Sequence, residues 1–136
     1  MNKLQIVLDT NIYASAIFWE GNPYRIDQKA LNGELSVFVS EDMIKELKRV
    51  LERDFSLTEE GIAGKIDALL SFAKEVDVNQ KLSVVKDDPD DDRILECALS
   101  ANAEYIVTQD NHLLRVREFR GIKIVNPKDF IDILSG

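Results

Sequence analysis

Short apolar runs of strand length alternate with longer segments whose apolar residues recur at helical spacing. That alternation signals a parallel sheet with helices on its faces, because parallel neighbours need a crossover between them. Leu4 to Leu8 reads as the first strand, apolar enough to be buried on both sides. Ser36 to Val39, Glu75 to Val78, Tyr105 to Thr108 and Ile122 to Val125 read as four more, with Leu82 to Val85 ambiguous. Between them fall helices over Asn11 to Phe18, Tyr24 to Leu31, Ser40 to about Arg53, Leu57 to Phe72, and from the turn at Asp87–Asp90 to about Ala101. A single helical turn over Asn111 to Arg115 and a last helix from Pro127 to Leu134 complete the pattern.

Nothing divides the chain. It has 136 residues with no repeat, no low-complexity tract and no linker, so one domain over 1–136 is expected. No apolar run approaches the ~20 residues that span a bilayer. The stretch from Met1 to Leu8 meets Asp9 too soon to read as a secretory signal. Cys97, the lone cysteine, offers neither an internal disulfide nor a thiolate metal framework. A reduced, cytoplasmic protein with no membrane contact is therefore expected. The net charge of −8 argues against a broad basic face for nucleic acid. It leaves open an enzyme that gathers carboxylates around divalent cations, since the bound ions offset the charge.

In open parallel sheets, ligand sites lie at the carboxyl ends of the strands. Three expected strands run into polar groups there: Val7-Leu8 into Asp9-Thr10-Asn11, Phe38-Val39 into Ser40, and Ile106-Val107 into Thr108-Gln109-Asp110. Hard oxygen ligands of this kind are what Mg²⁺ and Mn²⁺ prefer. A further carboxylate comes from the acidic run before the helix that ends near Ala101. At about 100° per residue, Ile94, Leu95, Ala98 and Leu99 surround the direction of Asp91. Asp90 and Asp92 project roughly 100° to either side, toward solvent. A carboxylate on a buried face needs a partner or a cation, which singles out Asp91 and keeps Asp92 in reserve.

Each of these residues also has a plain structural reading. Asp9 and Asp110 can cap the helices they precede, and Asp90 to Asp92 can favour a helix amino end. Glu46 lies on the flank of its helix and, taken alone, reads as a surface glutamate. Phe18 and Trp19 could stack on bases or pack a dimer, with core as their default.

The motifs together resemble the PIN-domain family. Ile6-Val7-Leu8-Asp9-Thr10-Asn11 is similar to its opening, followed by Val39-Ser40-Glu41 leading to Glu46-Leu47, Asp88-Pro89-Asp90-Asp91, and Ile106 to Asp110 with Leu113-Leu114. The order and spacing span nearly the whole chain, and the nearest likeness is to the bacterial and archaeal toxin components of toxin–antitoxin pairs. The resemblance implies an α/β fold, a three-layer αβα sandwich around a mainly parallel sheet, here of five strands. It implies an Mg²⁺- or Mn²⁺-dependent ribonuclease that cuts single-stranded RNA, often as a homodimer, with a cognate antitoxin as a further partner.

Carried over by position, the catalytic acids are Asp9, Glu46, Asp91 and Asp110, of which Asp9, Asp91 and Asp110 would hold metal. Thr10, Asn11, Asp92, Thr108 and His112 would position ligands or substrate. His112 departs from the pattern, because many members carry a second acid there. It could contact phosphate or be a surface histidine. Two other readings within the family are a catalytically silent binding subunit and a nuclease of RNA maturation or decay. A response-regulator-type phosphotransferase fits the motif order poorly, and no Gly-rich loop follows the first strand to hold a dinucleotide.

Overall fold

The computed structural model describes residues 3–85 and 89–136; Asp87 and Asp88, part of the expected turn, lie outside the described residues. In chain order the elements are β1 (Leu4–Leu8), α1 (Thr10–Phe18), α2 (Asn22–Leu31), β2 (Leu35–Val39), α3 (Glu41–Phe55), α4 (Glu59–Leu70) and β3 (Ala73–Glu75). They continue with α5 (Pro89–Ser100), β4 (Tyr105–Val107), α6 (Asn111–Val116), β5 (Glu118–Phe119), β6 (Ile122–Val125) and α7 (Pro127–Ser135). The strands form one sheet in the order β3-β2-β1-β4-β6-β5. All neighbours are parallel except β5 and β6.

Successive strand residues point to opposite faces. Ile6, Val7 and Leu8 of β1 are nevertheless all fully buried, so helices must cover both faces, which is the layered α/β architecture expected. Helix starts follow their capping chemistry. Ser40 accepts from Met43 N at 3.3 Å, Thr58 from Gly61 N at 3.1 Å, and Asn126 from Asp129 N at 2.8 Å.

The sheet has six strands where five were expected. The extra one, β5, is two residues long and pairs antiparallel with β6 through the turn at Arg120-Gly121. Both turn residues have positive φ, 49° and 85°, as a tight two-residue hairpin requires. Two residues are too few for any periodicity to register. The third strand lies two to three residues earlier than expected, at Ala73–Glu75, where Ala73 alone is buried. Leu82 to Val85 adopts no regular structure.

The topology fixes where a site can form. From β1 the chain moves outward through β2 and β3 on one side, then returns to place β4 and β6 on the other. The reversal falls between β1 and β4. In an open parallel sheet, the crevice at that reversal, beyond the carboxyl ends of the strands, is where ligands bind.

Candidate active site

Asp9 follows β1 directly and Asp110 stands three residues beyond β4, so the switch point brings two acids from distant sequence to one edge. Asp9 is 4% exposed. Its Oδ2 accepts from the Thr108 hydroxyl at 2.6 Å and its Oδ1 from the Thr10 hydroxyl at 3.3 Å. The Thr108 hydroxyl also accepts from the Asp110 amide at 3.0 Å, so one threonine ties the ends of both strands together. Burial pushes the Asp9 carboxyl above its usual range. The Thr108 hydrogen bond opposes that shift, and the nearby charge of Asp110 adds to it.

A cleft of about 360 Å³ opens over this edge. Asp9, Glu46, Asp91 and Asp110 all line it, together with Thr10 and Asn11. Seven carboxylates line it in all, with Asp42, Asp54 and Asp90 added to those four, against two guanidinium groups, Arg53 and Arg93. Such a surplus of like charge in one concavity calls for cations to offset it. Asp91 is buried at the start of α5. One ligand atom each from Asp91, Asp110 and His112 falls within 4.8 Å of the others, close enough to converge on one ion.

Glu46 reaches the cleft from α3, its side chain 22% exposed. Arg49, one turn later, donates to its carboxylate and lies 4.0 Å from Asp90. The helical wheel placed Glu46 on the flank, and the flank is the cleft wall. Among the other basic groups, Arg53 lines the cleft and pairs with Asp54 at 2.8 Å. Lys48, Arg115 and Arg117 are exposed.

Two readings need correction. Asp92 does not face solvent: it is 3% exposed, and its Oδ1 accepts from Val84 N and Val85 N, each at 2.9 Å. It does not line the cleft. The wheel assumed one buried stripe, whereas α5 packs on β1, β2, β4 and α3 and is also covered by the segment 82–85. Phe18 and Trp19 are not core residues either. They are 37% and 61% exposed and form a cluster with Phe55, a cleft residue. Phe18 stacks on Phe55 at 4.0 Å, and Trp19 meets both rings edge-on at 6.0 Å.

Glu96 escaped notice in the sequence. It is 1% exposed, accepts from Leu82 N at 2.8 Å and pairs with Arg93 at 2.8 Å, while Arg93 also donates to Leu82 O at 3.2 Å. The spacing Asp92–Glu96, four apart on one helical face, is the trace it leaves in the sequence. Cys97, beside it, is fully buried, and burial pushes its thiol up to about 12. Such a thiol is inert.

No curated protein sequence matches the chain. Among solved structures, VapBC2 from Rickettsia felis, bound to a DNA fragment from its promoter, superposes with a TM-score of 0.64 at 21% identity, over 90% of this chain and 98% of that one. PAE2754 from Pyrobaculum aerophilum superposes with a TM-score of 0.59 at 20% identity, over 98% of this chain and 90% of that one. At such identities the likeness speaks to the fold. The sequence pattern of the PIN domain matches residues 5–112, a stretch that takes in every acid of the cleft and ends on His112. The chain belongs to the PIN-domain family.

Proposed function

We propose that the chain is a metal-dependent endoribonuclease that cuts single-stranded RNA in this cleft. The observation that carries the reading is the convergence of Asp9, Glu46, Asp91 and Asp110 at the topological switch point. The donors suit a hard divalent ion, Mg²⁺ or Mn²⁺, because they are chiefly carboxylate oxygens. Asp9, Asp91 and Asp110 would hold it. When bound, such an ion polarises the scissile phosphate and lowers the pKa of a coordinated water.

The chain's own residues have distinct parts. Thr108 fixes the orientation of the Asp9 carboxylate through its 2.6 Å hydrogen bond. Thr10 supports the other oxygen of Asp9, and Asn11 lines the cleft beside it. Glu46, anchored by Arg49, would orient the attacking water. Arg53 offers a cation to the backbone of an incoming strand. The exposed rings of Phe18 and Trp19, stacked about Phe55 at the cleft wall, favour a single-stranded substrate, because unpaired bases present faces to stack on.

The likeness to VapBC2 supports a role as the toxin of a toxin–antitoxin pair, with an antitoxin protein as partner; the family resemblance adds a homodimer to the proposal. No helix among the described residues is long and apolar enough to cross a membrane.

The test is cleavage of labelled single-stranded RNA with Mn²⁺, with Mg²⁺ and with EDTA, beside Asp91→Asn. Metal-dependent cutting that the variant loses is expected. A well-folded protein that neither cuts nor binds metal would instead be a silent binding subunit. Growth arrest of a bacterial host on induction, absent with Asp91→Asn, separates a toxin from an enzyme of RNA maturation. Trp19→Ala should raise KM severalfold and spare kcat; an unchanged KM would remove the rings from the substrate path.

A further inference from the structure

We propose that His112 is itself a metal ligand, and that its nitrogen tilts the cleft away from Mg²⁺ toward Mn²⁺ and the later divalent transition ions. This rests on the metal-dependent reading above and adds to it a donor and a preference.

Three observations carry it. First, a ligand atom of His112 lies within 4.8 Å of one from Asp91 and one from Asp110. Adjacent donors on an octahedral ion sit about 3 Å apart and opposite ones about 4.2 Å, given metal–ligand bonds near 2.1 Å. The group is therefore open by no more than about 1.8 Å between adjacent donors, which a rotation of the half-exposed His112 side chain can close. Second, His112 and Asp110 are fixed relative to each other by the backbone. The His112 amide donates to Asp110 Oδ1 at 2.7 Å, and Nδ1 of the imidazole stands 3.6 Å from the same oxygen. Two donors locked on one turn need little ordering when an ion arrives. Third, the imidazole is 43% exposed and stands beside an acidic cleft, so it is open to an ion entering from solvent.

The choice of metal follows from ligand chemistry. Mg²⁺ holds to oxygen ligands and near-ideal octahedral geometry, and gives up water reluctantly. Imidazole suits the transition ions, whose affinity for nitrogen rises from Mn²⁺ through Co²⁺ to Ni²⁺. One nitrogen among carboxylates therefore lowers the standing of Mg²⁺ relative to those ions. Because the sequence contains one histidine, a nitrogen signal from a bound ion has one imidazole as its source.

The experiment uses tag-free protein with Mn²⁺ alone, Mg²⁺ alone and Co²⁺ alone, by calorimetric titration, and electron spin-echo spectroscopy of the Mn²⁺ complex. Imidazole nitrogen modulation is expected in the wild type and absent from His112→Ala. His112→Ala should weaken Co²⁺ and Mn²⁺ by at least about tenfold, the lower end of what losing a supporting hydrogen bond to a ligand costs. His112→Asp should narrow the gap between Mn²⁺ and Mg²⁺. Mn²⁺ binding without nitrogen modulation, or with the same metal ratios in all three proteins, would overturn the proposal and leave the nuclease standing. No binding of any ion by the wild type would overturn both.

Discussion

Asp91 and Asp92 are neighbours on one helix, are equally buried, and serve different faces of it. Asp91 turns into the acidic cleft, where carboxylates from β1, α3 and the β4–α6 turn meet it. Asp92 turns the other way and accepts two backbone amides from the segment 82–85. Glu96 and Arg93 extend that second face, holding Leu82 by its N–H and its C=O. One face of α5 adds its charge to the acidic cleft. The other spends its charge on backbone groups that no strand or helix partner satisfies. Burial alone therefore does not separate the two acids; where each carboxylate stands does.

The sharpest way to break this comparison is to neutralise Asp91. Asp91→Asn should lower RNA cleavage by about a hundredfold or more, since a metal ligand's charge supports several kcal/mol of transition-state stabilisation. Its metal-free stability should hold or rise, because one of several mutually repelling carboxylates is gone. Cleavage kinetics and urea denaturation on the same preparation check both halves. A variant that cuts normally, or that unfolds, places Asp91 with Asp92 and erases the distinction.

Glu96→Ala should do the reverse. It strips Arg93 of its buried partner and the Leu82 amide of its acceptor, at a cost of about 3 kcal/mol. Asp92→Ala should cost less, about 1–2 kcal/mol, because Val84 is 40% exposed and its amide can turn to water while that of Val85 cannot. Neither residue lines the cleft, so turnover at temperatures well below unfolding should change little. A large loss of activity with stability intact would make the 82–85 clamp part of the catalytic machinery.

The two faces were not equally legible. The cleft acids announce themselves because apolar strands run straight into Asp9 and toward Asp110, and strand direction dictates the edge they reach. Asp91 followed from the apolar stripe it shares with Ile94, Leu95 and Ala98. Asp92 and Glu96 escaped the same test, since a helical wheel knows only one buried side. The segment that covers the other side is irregular and has no periodicity to read. Glu46 needed the family resemblance, because a flank residue becomes a wall residue only once α3 is docked. The β5 hairpin and the exposure of Trp19 likewise depend on contacts far apart in sequence.

A half-buried carboxylate that belongs to neither the clamp nor the acidic cleft calibrates the other two. Asp27 on α2 lies near Tyr13, and burial pushes its carboxyl up to about 7. Among the described residues, its Oδ1 has no hydrogen-bond partner. A carboxyl raised in the fold favours the folded state while protonated. Its contribution is complete below the unfolded value of 3.8 and fades as pH climbs toward about 7. Asp27→Asn carries no charge at any pH, so it should gain on the wild type above neutrality and show no such gain near pH 4. Because Asp27 is only half-buried, the gain should be small, about 1 kcal/mol. Urea midpoints of the two proteins at pH 4 and pH 8 read the difference directly. Asp92→Asn, whose acceptor is already used by two amides, should show no gain at pH 8. If it gained as Asp27→Asn does, the clamp would be a tolerated charge rather than a working one, and the contrast between the two faces of α5 would rest on Asp91 alone.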